Sequence, residues 1–167
     1  MHRIVLGSLL ACSLALPAAA QNAPGVTDTE IKIGQTMPYT GPGSRLSAPG
    51  VAEVAYMKMI NDQGGINGRR INLISVDDGN MPWRTGNETR KLVELQQVAF
   101  IFGSIGTANQ LAVAKYLNQR GIPQLFIGSG AFRWGNYKET PYTMGGVRRP
   151  SCRVFPCSCP SGRHRCR

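Results

Sequence analysis

The stretch from Val51 to Asn80, VAEVAYMKMINDQGGINGRRINLISVDDGN, places the strongest constraint on how this chain can fold. Its first half keeps apolar residues close to helical spacing, and Gly64-Gly65 follows where a helix can end on a left-handed residue without a Cβ. Asn67-Gly68 predicts a chain reversal, and Ile71 to Val76 predicts a buried strand that ends in an acidic turn, Asp77-Asp78-Gly79-Asn80. A helix that leads directly into a buried strand predicts one half of a βαβ unit.

The remainder of the chain from Gln21 onward alternates strand and helix patterns. Strands are predicted at Glu30 to Met37, Val98 to Gly103, Pro123 to Ile127 and, more briefly, Tyr142 to Met144. Helices are predicted at Gly86 to Gln96, with Leu92, Val93 and Leu95 on the apolar side, and at Ala108 to Arg120, with Leu111, Val113, Ala114 and Leu117 inward. Such alternation implies right-handed crossovers. The predicted fold class is therefore α/β, a doubly wound, mostly parallel sheet in flavodoxin-like order with helices on both faces.

The formal charge of the 167-residue chain is +10, but it is unevenly distributed. Residues 147–167 carry six arginines and no acidic residue, whereas residues 21–146 hold twelve basic against nine acidic side chains, a net charge of +3. This value is ordinary for a soluble domain and argues against a nucleic-acid-binding function.

The first 20 residues have the pattern of a secretory signal peptide. Met1-His2-Arg3 supplies a short positive region, Ile4 to Leu16 is apolar, and Ala18-Ala19-Ala20 fits the small-residue cleavage pattern. We expect cleavage before Gln21 and a periplasmic location. A membrane anchor is the alternative, but the apolar run is shorter than the ~20 residues that a spanning helix needs. A lipoprotein site at Cys12 would leave too short an apolar run before it.

The predicted sheet indicates where a ligand would bind, because ligands on open parallel sheets lie beyond the carboxyl ends of the strands. The loops at that edge are Pro38 to Arg45, Ser104 to Thr107 and Gly128 to Arg133, and they are rich in Gly, Ser and Thr. The third helix is predicted to start near Thr107, where free amides and the helix dipole would favour an anion. The alternative is that Thr107 is only an N-cap and that the glycines only form turns.

The sequence offers little for catalysis, a metal or a cofactor. Both histidines, His2 and His164, and all five cysteines lie outside residues 21–146, so that span lacks a nucleophilic triad and the usual zinc ligands. Gly128-Ser129-Gly130 lacks the third glycine of a dinucleotide fingerprint, and we interpret Asp77-Asp78 as a structural turn. Aromatic residues near the predicted crevice could line a pocket or pack within the domain: Trp83, Phe132 and Trp134.

Four motifs together resemble the periplasmic substrate-binding proteins of branched-chain amino acid ABC transporters, the leucine/isoleucine/valine-binding type. They are EIKIGQTMPYTGPG, AYMKMINDQGGINGRRINLISVDDGN, RKLVE and VAFIFGSIGTANQLAVAKYLNQRGIPQLFIGSGA, over about Val26 to Gly145. The resemblance implies two α/β lobes that hold an amino acid or small carboxylate between them, and an ABC permease in the inner membrane as partner. It also implies ligand contacts at Tyr39, Ser104, Gly106, Thr107, Ser129, Gly130 and Ala131, no enzymatic activity and no cofactor. The alternative is a small flavodoxin-like enzyme, or an anion- or nucleotide-binding domain, that uses the same crevice.

The chain departs from the family pattern after Gly146. The tail VRRPSCRVFPCSCPSGRHRCR has no periodicity and a composition that cannot build a core, so we expect a frameshifted or disordered end rather than a second lobe. A zinc knuckle, a disulfide-linked cap and a basic arm are the alternatives. We expect the chain as printed to bind its ligand weakly, because a single lobe, residues 21–146, covers only one side of it.

Overall fold

The structure is a computed structural model, and it describes residues 23–146. The predicted signal peptide, its cleavage site and the Arg/Cys-rich tail lie outside the described residues. The strands are β1 (Glu30–Met37), β2 (Arg70–Asp77), β3 (Phe100–Phe102), β4 (Gln124–Ile127) and β5 (Thr143–Gly145). The helices are α1 (Ala48–Asp62), α2 (Pro82–Glu94) and α3 (Thr107–Gln119), with short 3₁₀ turns at Ser44–Leu46 and Phe132–Gly135.

The five strands form one parallel sheet in the order β2-β1-β3-β4-β5. The chain moves from β1 outward to β2 and then returns past β1 to β3, so the strand order reverses beside β1. This reversal places α1 on one face of the sheet and α2 on the other, since Met37 packs against Gly50 of α1 whereas Gly34 packs against Leu92 of α2. The predicted doubly wound α/β fold is confirmed.

The main hydrophobic core lies between the sheet and the α2–α3 pair. Its buried members are Leu92, Val98, Ile101, Val113 and Leu117. These side chains come from two helices and from β3 and the segment before it, so the core joins all three elements. The predicted inward positions on α3 are confirmed, and β3 takes the predicted central place in the sheet.

Leu95 does not belong to the apolar side of α2, and the prediction for it is wrong. The helix begins one turn earlier than predicted, at Pro82, where a proline suits the first turn. It ends at Glu94, so Leu95 is the C-cap residue and is 73% exposed. Because the helix ends before Leu95, this side chain does not continue the buried face of α2.

The turn chemistry between α1 and β2 is confirmed. The Gly65 amide donates a 2.9 Å hydrogen bond to the Ile60 carbonyl, and Gly64 and Gly65 both have positive φ. Asn67 and Gly68, with φ of 51° and 77°, form the predicted reversal. The predicted burial of β2 is wrong for most of the strand, because β2 lies at the edge of the sheet and only Ile71 is fully buried.

Candidate functional site

The loops after β3 and β4 are joined to each other at the carboxyl edge of the sheet. The Gly128 amide donates to the Ser104 carbonyl at 3.0 Å, and the Gly106 amide donates to the Gly128 carbonyl at 3.3 Å. These bonds extend the parallel pairing by one bridge, Ile105 with Gly128. The two loops that carry most of the predicted site residues are therefore held side by side.

Thr107 and Ser129 meet at this edge. Thr107 Oγ1 lies 2.6 Å from Ser129 Oγ, and Thr107 is exposed whereas Ser129 is buried. The Ala131 amide also donates to Ser129 Oγ at 3.3 Å. We call Thr107 and Ser129 the hydroxyl pair. Both were predicted site residues, and the structure brings them into direct contact.

The amino end of α3 opens beside the hydroxyl pair. Its N-cap residue is Gly106, which makes no side-chain capping bond, and Thr107 is the first helical residue. The alternative that Thr107 serves as the N-cap is therefore wrong. The first amides of an α-helix have no partner within the helix, and the helix dipole gives this end a partial positive charge. The arrangement of amides and hydroxyls suits an anionic oxygen.

Ser104 has a different place from the hydroxyl pair. Its side chain is 1% exposed, and its Oγ accepts a 2.9 Å hydrogen bond from the Thr36 amide. This bond ties the end of β1 to the loop after β3. The buried Ser104 hydroxyl thus holds the loop after β3 against the end of β1.

Two buried glutamines also fix this loop, and the sequence analysis missed both. Gln124 Nε2 donates to Gln110 Oε1 at 2.9 Å, and Gln110 Nε2 donates to the Ile105 carbonyl at 3.1 Å. Both side chains are fully buried. A glutamine inside a strand pattern, as at position 124, is a sequence signal that could have indicated a buried polar contact.

Tyr39 lies on the loop after β1 and turns toward the edge strand β2. Its hydroxyl lies 2.6 Å from Ser75 Oγ. The predicted site residues thus fall in two places at the carboxyl edge, Tyr39 beside β2 and the hydroxyl pair beyond β3 and β4.

The two aspartates at the end of β2 point to opposite sides, as the interpretation of a structural turn requires. Asp78 is fully buried. The Asp77 carboxylate accepts hydrogen bonds from the Thr40 amide at 3.0 Å, the Thr40 hydroxyl at 2.6 Å and the Gly79 amide at 3.1 Å, and pairs with Arg84 at 3.0 Å. Desolvation raises the pKa of Asp77, but these hydrogen bonds and the Arg84 charge outweigh it and bring the pKa to about 2. Asp77 thereby joins the loops after β1 and β2.

Comparison with known families identifies the kind of protein to which this candidate site belongs. Residues 30–147 match the family described as periplasmic binding protein. The chain belongs to this family. It is a family of solute-binding proteins and not of enzymes, and the resemblance noted from the sequence motifs is confirmed.

Curated relatives of this periplasmic binding protein include two named Leu/Ile/Val-binding protein homolog 7. The one from Brucella abortus (strain 2308) is 32% identical over 117 residues, which are 68% of this chain and 29% of the relative. The one from Brucella melitensis biotype 1 is 34% identical over 133 residues, 78% of this chain and 30% of the relative. The chain thus spans about 30% of the length of the curated relatives that it matches.

Solved structures share the fold of this periplasmic binding protein. A possible leucine/isoleucine/valine-binding protein from Rhodopirellula baltica SH 1 superposes with a TM-score of 0.62 at 19% identity, over 75% of this chain and 33% of that one. The branched-chain amino acid transporter substrate-binding protein LivJ from Streptococcus pneumoniae, in complex with isoleucine, gives a TM-score of 0.62 at 21% identity, over 72% and 34%. At these identities the likeness establishes the fold.

A cavity and a buried tryptophan lie away from the hydroxyl pair. A cavity of about 760 Å³ opens at the amino ends of β3 and β4, beside Pro24, Arg120 and Pro123. Trp134 packs on Ala114 and Ile127, so it contributes to the core. Among residues 23–146 no three side chains gather as metal ligands, and none of the helices there has the length and apolar character to cross a bilayer.

Proposed function

We propose that the hydroxyl pair and the open end of α3 bind the carboxylate of a small solute. The observation that carries this proposal is the 2.6 Å contact between Thr107 and Ser129 beside a helix end with no side-chain cap. In this pair one hydroxyl donates its proton to the other, so the accepting hydroxyl keeps its own proton for a ligand oxygen. The α3 amides supply further donors.

The affinity of this half of the site should be modest. Thr107 and Gly130 are exposed, so the described residues contact a ligand from one side. A hydrogen bond in such a setting contributes about 0.5–1.5 kcal/mol net. Two or three of them do not offset the ~4 kcal/mol or more that immobilising a ligand costs. Since a dissociation constant of 1 mM already requires about −4.1 kcal/mol, we expect binding no tighter than the millimolar range.

The biological role that fits this site is the extracytoplasmic solute-binding component of an ABC transporter for branched-chain or related amino acids. The names of the Brucella relatives and the isoleucine in the LivJ structure support this solute class. In this role residues 21–146 form the first ligand-binding lobe, and an ABC permease in the inner membrane receives the solute. We propose no catalytic step and no cofactor.

The binding proposal is tested by ¹H–¹⁵N NMR titration of the protein with isoleucine, leucine, valine and 3,4-dihydroxybenzoate, each up to millimolar concentration. We expect the Thr107, Ala108 and Ser129 amide signals to shift with at least one of them. Thr107→Val and Ser129→Ala should weaken that binding several-fold. Thr29 is an exposed threonine just before β1, at the amino ends of the strands, so Thr29→Val should leave binding unchanged. Binding that Thr107→Val does not affect would overturn the site assignment.

The same titration separates the proposal from the alternative enzyme-like function. FMN and NAD are added as further ligands, since a flavodoxin-like domain would bind a nucleotide at the same edge. Shifts with a nucleotide and none with the amino acids or the aromatic acid would contradict the solute-binding proposal.

The location is tested separately. We propose export and a mature protein that begins at Gln21, on the basis of the leader pattern in residues 1–20. N-terminal sequencing of protein recovered from the periplasm should begin at Gln21. Recovery of the protein from the cytoplasm with Met1 intact would contradict this.

A further inference from the structure

Four polar side chains form a hydrogen-bonded chain on the α1 face of the sheet. It runs from the Tyr39 hydroxyl to Ser75 Oγ at 2.6 Å, and from Ser75 Oγ to Gln35 Oε1 at 2.8 Å. Gln35 Nε2 then donates to the Glu53 carboxylate on α1. Gln35 is wholly buried, so the chain passes through the interior of the domain. None of these residues contacts the hydroxyl pair, and sequence patterns pointed only to Tyr39.

The direction of this chain is determined at its Glu53 end. An ionised carboxylate can only accept hydrogen bonds, so Gln35 must present its Nε2 to Glu53 and its Oε1 to Ser75. Ser75 then gives its single proton to Gln35. It follows that Tyr39 donates to Ser75, which leaves the phenolic oxygen with lone pairs but no free proton.

The Glu53 carboxylate also lies against Gly103, which follows β3 and precedes the loop that carries Thr107. A Cβ built on Gly103 would lie 2.7 Å from both carboxylate oxygens, so the carboxylate packs directly over the last residue before Ser104. Burial raises the pKa of Glu53 and the hydrogen bond from Gln35 lowers it, with burial the larger effect. The groups that contact the Glu53 carboxylate are Gln35 of β1 and Gly103 after β3, both uncharged, and Ser75 of β2 lies one hydrogen bond further on. Tyr39 is the other titratable side chain among the four hydrogen-bonded residues.

We propose that Glu53 is a positioning residue for the ligand crevice, and that its ionisation sets whether Tyr39 can donate a proton to a ligand. With Glu53 ionised, Tyr39 offers only an oxygen acceptor. When Glu53 takes up a proton it can donate to Gln35 Oε1, the amide turns over, Nε2 donates to Ser75 Oγ, and Ser75 donates to Tyr39. The only proton taken up is the one on Glu53. Tyr39 keeps its own proton, which it no longer donates to Ser75 and can donate to a ligand. The significance for a ligand rests on the proposed function, while the coupling itself does not.

The coupling is tested without ligand, by NMR of protein labelled with ¹³C at tyrosine Cζ and glutamate Cδ. The Tyr39 signal is assigned with Tyr39→Phe, and both signals are followed as the pH rises from 3 to 8, a range of about five units that brackets a raised glutamate pKa. We expect Tyr39 to change with the same midpoint as Glu53. The change should disappear in Glu53→Gln and remain in Glu88→Gln, which removes a carboxylate from the α2 surface.

Ser75→Ala provides the decisive second variant, because it cuts the chain between Gln35 and Tyr39 and leaves Glu53 in place. In this variant Glu53 should still titrate and Tyr39 should no longer follow it. A Tyr39 signal that titrates with Glu53 in Ser75→Ala, or that ignores Glu53 in the unmodified protein, would overturn the proposal. If the Tyr39 signal follows Glu53 but no solute shifts the Thr107 signals, the proposed function is wrong and the coupling between Glu53 and Tyr39 is still supported.

Discussion

The Asp78 carboxylate accepts a 2.7 Å hydrogen bond from the Thr85 hydroxyl, and both side chains are wholly buried. Asn109 of α3 completes the cluster, since its Nδ2 donates to Asp78 Oδ2 at 3.1 Å and to Thr85 Oγ1 at 2.8 Å. The cluster therefore fastens the end of β2 to the first turns of α2 and α3. It determines where the open amino end of α3, and with it Thr107, lies.

Thr85→Val should destabilise the protein by about 1–3 kcal/mol, because it removes a donor from a buried carboxylate. The matched control is Thr89→Val, one turn further along α2. The Thr89 hydroxyl is equally buried, but it has no hydrogen-bond partner among the residues that the structure describes. Thr89→Val should therefore be neutral or stabilising. Urea unfolding measures both free energies, and similar losses in the two variants would contradict the role of the cluster.

Asp77→Asn should destabilise the protein near neutral pH by about 1 kcal/mol, a value reduced by solvent screening because the Asp77 side chain is only partly buried. The folded-state pKa of about 2 lies below the ordinary 3.8, so the stabilisation is complete above pH 3.8 and is lost as the pH falls toward 2. The difference from the unmodified protein should narrow over that range. Urea unfolding at neutral and acidic pH, with the exposed Asp28→Asn as control, tests this. A difference that stays constant down to pH 2 would show that the ionised form of Asp77 contributes nothing.

Leu92→Ala should cost about 2–5 kcal/mol, because Leu92 is 1% exposed at the centre of the core and the change leaves a cavity. Leu95→Ala is the matched control, three residues along the chain and 73% exposed, and should change stability by no more than about 0.5 kcal/mol. Thermal and urea unfolding would both report the contrast. Comparable losses would mean that Leu95 is buried after all, as the sequence pattern had predicted.

The elements that the sequence predicted best are those whose pattern depends on local chemistry. The bounds predicted for β1 agree with the structure at both ends, and the α1–β2 turn follows from the residues that can adopt positive φ. The bounds of α2 were predicted poorly, because the helix starts at Pro82 rather than Gly86 and ends at Glu94 rather than Gln96. The error of two residues at the carboxyl end was enough to place Leu95 inside the helix and on its buried face.

The site shows the same division. The closeness of Thr107 and Ser129 could be predicted, because the carboxyl ends of the parallel strands β3 and β4 meet at one edge of the sheet. Their choice as candidate ligand contacts came from the family resemblance. Asn109, Gln110 and Glu53 could not be predicted, since a polar residue in a helix pattern is indistinguishable from a surface residue until its tertiary partner is known. Their roles depend on contacts with residues distant in the sequence, at Asp78, Gln124 and Gln35.

The last prediction concerns Gly64 and Gly65, which end α1 before the edge strand begins. Both have positive φ, so alanine at either position should cost about 1 kcal/mol from backbone strain. They differ in what surrounds them. A Cβ at Gly64 would meet nothing within 4 Å, whereas a Cβ at Gly65 would overlap the carbonyl oxygen of Arg69. That carbonyl accepts a 2.8 Å hydrogen bond from the Ile66 amide and directly precedes β2, so it cannot move without disturbing the entry into the strand. Gly65→Ala should therefore lose clearly more stability than Gly64→Ala in urea unfolding, and hydrogen exchange of the β2 amides should quicken in the first variant only. Equal losses, with unchanged exchange in β2, would mean that the loop absorbs the added methyl group without cost to the strand.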